Sequence, residues 1–197
     1  MNVLSGFHGA VRLGWLAGVL LAQCAMAIPP IVSHVSDPAR LLATERLGVT
    51  DLEAKLADYE ARTGIRILVQ FHAKSPAADE DRVPGAYMRG LSEQLGTRRH
   101  GVLLVYFADD PDWRIWIGDD LAATFAGKSG TVAELTASKA IHDVKEAVFS
   151  AAKTHADAAF AELQKASAPG QPPSKAQHLK LWTDALVDAL IVRLKTR

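Results

Sequence analysis

Residues 101–120, GVLLVYFADDPDWRIWIGDD, are the stretch on which the architecture of this chain turns. Residues 102–107 are an unbroken apolar and aromatic run, which suits a strand buried on both faces and predicts a central strand. In the next five residues Asp109, Asp110 and Asp112 can bond their own backbone and Pro111 presets a turn dihedral, so the chain reverses. Trp113, Ile115 and Ile117 then alternate with Arg114 and Trp116, the pattern of a second, antiparallel strand with one face less buried. Gly118, Asp119 and Asp120 close the hairpin, and the carboxylates at that strand end make it the first place to look for a polar site.

Upstream, helix and strand alternate. Thr50 and Glu53 have the three-residue spacing of a capping box and predict a helix whose Leu52, Leu56 and Tyr59 share a face and whose stop is Gly64. Residues 65–71 place Ile65, Ile67, Val69 and Phe71 on one side of a strand. A polar loop containing Asp79, Glu80 and Asp81 precedes a helix striped by Tyr87, Met88, Leu91 and Leu95; that acidic run reads as a solvated first turn. Before the first helix, Ile-Pro-Pro at 28–30 reads as extended chain, and Asp37 precedes a proline, where it can cap the next turn or point into a site. Arg98, Arg99 and His100 enter the central strand and are either an anion-binding group or a solvated basic loop.

Downstream the pattern is helical. Leu121 and Phe125 predict a short turn ended by Gly127, and Thr131 with Glu134 predicts a capped helix. Ile141, Val144, Val148, Phe149, Phe160 and Leu163 mark a longer one. Residues 168–174 are a proline-rich linker. Residues 175–197 predict an amphipathic C-terminal helix, capped by Ser174 with Gln177 and striped by Leu179, Trp182, Leu186, Leu190 and Leu194. That stripe needs burial. Its own domain is the first surface to expect, a partner protein the second, and a membrane surface, aided by Lys175, Lys180, Arg193, Lys195 and Arg197, the third.

At 197 residues, 49% hydrophobic and 22% charged, the composition is that of a globular protein. Lysine plus arginine equals aspartate plus glutamate at 22 each, which disfavours a nucleic-acid partner. Residues 1–27 read as a signal peptide: Arg12, an apolar core at 13–23, and Ala25-Met26-Ala27 as the cleavage site. An uncleaved anchor and a lipoprotein signal are the rival readings, against which stand an apolar core shorter than the about 20 residues of a spanning helix and Gln23 before Cys24. Cleavage removes the only cysteine, as suits an exported protein of the periplasm or cell envelope. There is no GxSxG, GxxxxGK[ST], GxGxxG or HExxH motif, which removes the easily recognised hydrolases, nucleotide binders and zinc proteases.

The order of extended segment, helix ending in Glu60-Ala-Arg-Thr-Gly64, strand, helix, Gly101-Val-Leu-Leu-Val strand, hairpin and Ile117-Gly118 resembles the TPM domain, over about residues 35–163. The resemblance implies an α/β fold, a three-layer α/β/α sandwich with a mixed central sheet over residues 28–167, here followed by the linker and the C-terminal helix. Some members of that family bind calcium or hydrolyse phosphate esters. Asp37 matches the family's aspartate before its first Leu-Leu. The family's Asp-Asn-Gly is Arg99-His100-Gly101 here, and its Gly-Tyr-Gly-Leu-Glu is Gly118-Asp119-Asp120-Leu121-Ala122. Two functions follow as expectations. One is a non-enzymatic envelope protein that binds or assists another protein, with an eroded acidic site. The other is a metal-assisted phosphatase in which Asp37, Asp119 and Asp120 hold calcium or another divalent cation.

Overall fold

The computed structural model describes residues 33–195. The signal-peptide reading of residues 1–27 lies outside them. The elements, in chain order, are β1 (Val35–Ser36), α1 (Arg46–Thr63), β2 (Arg66–His72), α2 (Ala86–Gln94), β3 (Gly101–Phe107), β4 (Asp112–Ile117), α3 (Ala122–Ala126), α4 (Val132–Ala137), α5 (Ala140–Ala166) and α6 (Lys175–Arg193). A single 3-10 turn, Asp119–Leu121, joins β4 to α3.

The sheet has four strands in the order β1-β2-β3-β4. β1, β2 and β3 run parallel and β4 is antiparallel to β3, so the sheet is mixed, as expected. Strand β3 lies between two partners and is buried along its length, with only Tyr106 half-buried. Its two faces feed two cores. Val102 and Leu104 join Ile67, Val69, Phe71, Trp113, Ile115 and Ile117 in a large cluster with residues of α1, α5 and α6. Leu103, Val105 and Phe107 join Leu68 and Met88 under α2, with Trp116 packed against them. The layers are therefore unequal, with α1, α3, α5 and α6 contributing to the core on one face and α2 to that on the other. The side-chain period of two along each strand sorts the residues between them.

Helix α6 is part of the larger core. Leu179, Leu186, Val187, Leu190 and Leu194 are all buried in it, and Trp182 stands edge-on to Trp113 and Tyr106, each at 6.4 Å between ring centroids. Its own domain thus takes the stripe, the first of the three surfaces anticipated. The capping boxes at Thr131–Glu134 and Ser174–Gln177 both form. The one anticipated at Thr50–Glu53 does not, because α1 starts a turn earlier, at Arg46. Thr50 donates back to the Arg46 carbonyl, and the Glu53 carboxylate is taken up elsewhere. Among the described residues no helix is long and apolar enough to cross a membrane.

Candidate functional site

The pairing register locates the anticipated site residues. Val35 and Ser36 align with Val69 and Gln70, these with Leu104 and Val105, and these in turn with Ile115 and Arg114. Asp37 therefore stands one rung further on, level with Tyr106, at the end of the sheet where β2 and β3 finish. Gly118 follows Ile117, which pairs with Val102 at the opposite end. With about 3.3 Å per residue along a strand and about 4.8 Å between strands, the five rungs and three strand spacings put Asp37 on the order of 20 Å from Asp119 and Asp120. A cation bound through ligands at about 2.3–2.6 Å cannot be shared across that span. The three carboxylates do not form one site, and the reason is topological: β1 and β4 are opposite edges, and β4 runs against the parallel strands.

Each carboxylate end has its own local chemistry. Asp37 accepts the Leu41 amide at 2.9 Å and the Leu42 amide at 2.8 Å, so both of its oxygens cap the turn after β1. At the far end, residues 98–101 and 118–120 run side by side. Gly118, Asp119 and Asp120 donate their amides to the carbonyls of Gly101, Arg98 and Arg99. Gly118 is required there, since a Cβ on it would run into the Arg99 carbonyl oxygen. The Arg99 guanidinium stands 3.3 Å from Asp120, and Arg98 stands 3.3 Å from Glu93. His100 is exposed beside them. The anion-binding and metal-binding groups read from the sequence thus include two ion pairs, one of which joins Arg99 to Asp120. Among the described residues no group of three or more His, Cys, Asp and Glu side chains gathers to hold a metal ion.

Two other features carry more structure than the sequence suggested. Glu53 accepts the amides of His34 and Val35 at 2.9 and 2.8 Å and the Ser33 hydroxyl at 2.7 Å. The His34 ring lies between two carboxylates, Nδ1 at 2.8 Å from Glu53 and Nε2 at 2.7 Å from Glu60, an arrangement in which both nitrogens donate only when both are protonated. Arg66 continues the chain to Glu60 at 2.8 Å. Burial pushes both carboxyl groups upward, but the hydrogen bonds outweigh it, those from His34, Ser33 and Val35 on Glu53 and those from Arg66 and His34 on Glu60, and both finish below their ordinary value. This network ties β1 to α1 and the start of β2. Its only sequence signal was the i, i+7 spacing of Glu53 and Glu60 on one side of the helix.

The second feature is a cleft of about 490 Å³ along the free edge of β4. One wall is Pro84, Gly85 and Met88 at the start of α2. The other is built from α4 and α5 and includes Val132, Ile141, Lys145 and Phe149. Its floor is the strand itself. Lys145 is half-buried and donates to the Ile115 carbonyl at 2.9 Å, and burial lowers its pKa. Arg114, on the α2 side, pairs with Asp81 at 2.8 Å and lies 5.0 Å from the centre of the Phe107 ring. Asp81, read from the sequence as a solvated first turn, is thus a fixed partner of the strand; the contact joins distant segments and has no local pattern.

Against known families, residues 35–158 match the model of the TPM domain. No curated protein and no solved structure matches the chain. The matched segment ends within α5, and α6, which fills much of the larger core, lies beyond it.

Proposed function

Because the chain belongs to the TPM domain family, we propose that it serves as a binding or accessory module of the cell envelope, exported by residues 1–27 and acting on a partner protein through non-covalent contact. The observation that carries this reading is the engagement of Asp37 and Asp120 within the fold, together with the distance between Asp37 and the Asp119–Asp120 pair. Asp37 holds two backbone amides, Asp120 faces Arg99, and the two lie at opposite ends of opposite edge strands. A hydrolytic site of the anticipated kind asks for several oxygens free to meet one cation, which then polarises a phosphoryl oxygen. The β4 cleft, with apolar walls and a few polar groups, has instead the make-up of a recognition surface.

Turnover of p-nitrophenyl phosphate by the full chain, with calcium or magnesium at millimolar concentration, tests the reading alongside calorimetry of each ion. The expected result is neither saturable heat nor turnover that responds to Asp37→Asn or to the double change Asp119→Asn and Asp120→Asn. Turnover abolished by those substitutions would replace the binding module with the divalent-metal-assisted phosphatase.

A further inference from the structure

We propose that the free edge of β4 is a docking strip for an extended acidic peptide, which adds to the sheet as a fifth strand and sets a carboxylate against Lys145. The inference rests on the binding-module reading and gives that partner its chemistry.

The backbone defines the strip. In an antiparallel pair, residues alternate between those that exchange hydrogen bonds with the partner strand and those whose N–H and C=O point away from it. Gly118 donates to the Gly101 carbonyl, so Trp116 and Arg114 bond to β3, while Trp113, Ile115 and Ile117 turn their main-chain groups to the free edge. The Lys145 ammonium on the Ile115 carbonyl confirms that direction. The Ile115 and Ile117 amides point the same way, to an edge that no described strand occupies. Unpaired edge groups are the template for strand addition, in which main-chain bonds supply affinity and alternate side chains enter pockets on either side. Here the walls supply such pockets, Met88 and Trp116 on one side, Ile141 and Phe149 on the other.

Lys145 gives the strip its selectivity. A lysine on a strand edge ordinarily guards it from solvent. This one is half-buried between the walls, where a cation held only by a neutral carbonyl is costly without a counter-charge. An incoming strand whose N–H takes the Ile115 carbonyl displaces the ammonium, which then needs a new acceptor. A glutamate or aspartate on the peptide provides one with a charge-assisted bond. The other charges of the cleft place that acid: Arg114 is already paired with Asp81, and Asp119 at the Ile117 end repels a carboxylate there, leaving the level of Ile115.

Fluorescence anisotropy of the full chain with a labelled peptide tests this directly. The peptide is a seven-residue alternation of valine and threonine with one central glutamate, compared with its glutamine twin and with a copy N-methylated at alternate amides. The glutamate peptide is expected to bind about 10-fold more tightly than the glutamine one, the worth of one charge-assisted bond, and N-methylation to abolish binding. Lys145→Met, which keeps the apolar stem, is expected to equalise the two unmethylated peptides. No saturable binding, equal binding of the N-methylated copy, or a glutamate preference that survives Lys145→Met would each overturn the inference. So would a concentration-dependent dimer strengthened by Lys145→Met, which would assign the edge to a second copy of the chain. Failure here leaves the binding-module reading standing, since that is judged by turnover and calorimetry.

Discussion

Leu186→Ala probes whether α6 belongs to the domain energetically as well as geometrically. Leu186 is 0% exposed and sits in the larger core with Leu179, Val187, Leu190 and Leu194 of the same helix. Removing its isobutyl group loses the transfer energy of the buried carbons and leaves a cavity walled by elements fixed on all sides, so a cost of about 3 kcal/mol is expected, within the range of buried leucine truncations. With a urea dependence of about 2 kcal/mol per molar, the unfolding midpoint falls by about 1.5 M at unchanged slope. Val192, 66% exposed on the same helix, is the control: Val192→Ala should move stability by less than about 0.5 kcal/mol. Urea titration followed by tryptophan fluorescence reads both, because Trp182 lies against Trp113. Truncation after Pro173 extends the test, since it uncovers Trp113 and the apolar face of the sheet and should give an aggregating chain. A loss below about 1 kcal/mol for Leu186→Ala, or a soluble truncated domain with the parent midpoint, would refute the assignment of α6 to the core.

Two further outcomes follow from the geometry. Glu53 and Glu60 have folded pKa values below the ordinary 4.5, so their contribution to stability is present above that value and is lost as pH falls through the folded values. The stability difference between the parent and Glu60→Gln, measured by urea unfolding, should be full at neutral pH and shrink as pH falls below the ordinary carboxylate range, and a pH-independent difference would exclude the linkage. Gly118→Ala should cost about 1–3 kcal/mol by overpacking alone, because the new Cβ meets the backbone of Arg99 while φ of −58° suits any residue; unchanged thermal stability would show that the strand end moves freely.

The central hairpin was legible because its signals are local and redundant. The two-sided apolar run of β3, the Asp-Pro turn and the alternation of β4 each point to the same structure, and the parallel pairing of β2 with β3 follows from the helix between them. The C-terminal helix was legible as a helix from its stripe and its cap, and its destination followed from the need to bury that stripe. Thr50–Glu53 misled because a capping box is a pattern of two residues that a carboxylate can leave for stronger partners. Three amide and hydroxyl donors and the His34 ring, all at or just before β1, draw Glu53 away from its own helix. The candidate metal site misled for a different reason. Asp37 and Asp119 both follow strands, and although β4 reads as antiparallel to β3, no local pattern says that β1 runs parallel to β3 at the opposite edge.

That same antiparallel strand decides which edge of the sheet is long and unpaired. In a wholly parallel sheet the loops that follow the strands gather at one end, and polar residues placed there meet. Here β4 returns the chain to the start of β3, so Asp120 after it meets Arg99 at the entrance to β3 and pairs with it, while Asp119 turns to the cleft. The return also leaves β4 as a full-length outer strand, six residues long, where β1 at the other edge has two. Helices α2, α4 and α5 flank that edge, and the Lys145 ammonium bonds its Ile115 carbonyl. The reversal that separates the acidic residues is therefore also what creates the unpaired strand, the edge at which we propose that a peptide docks.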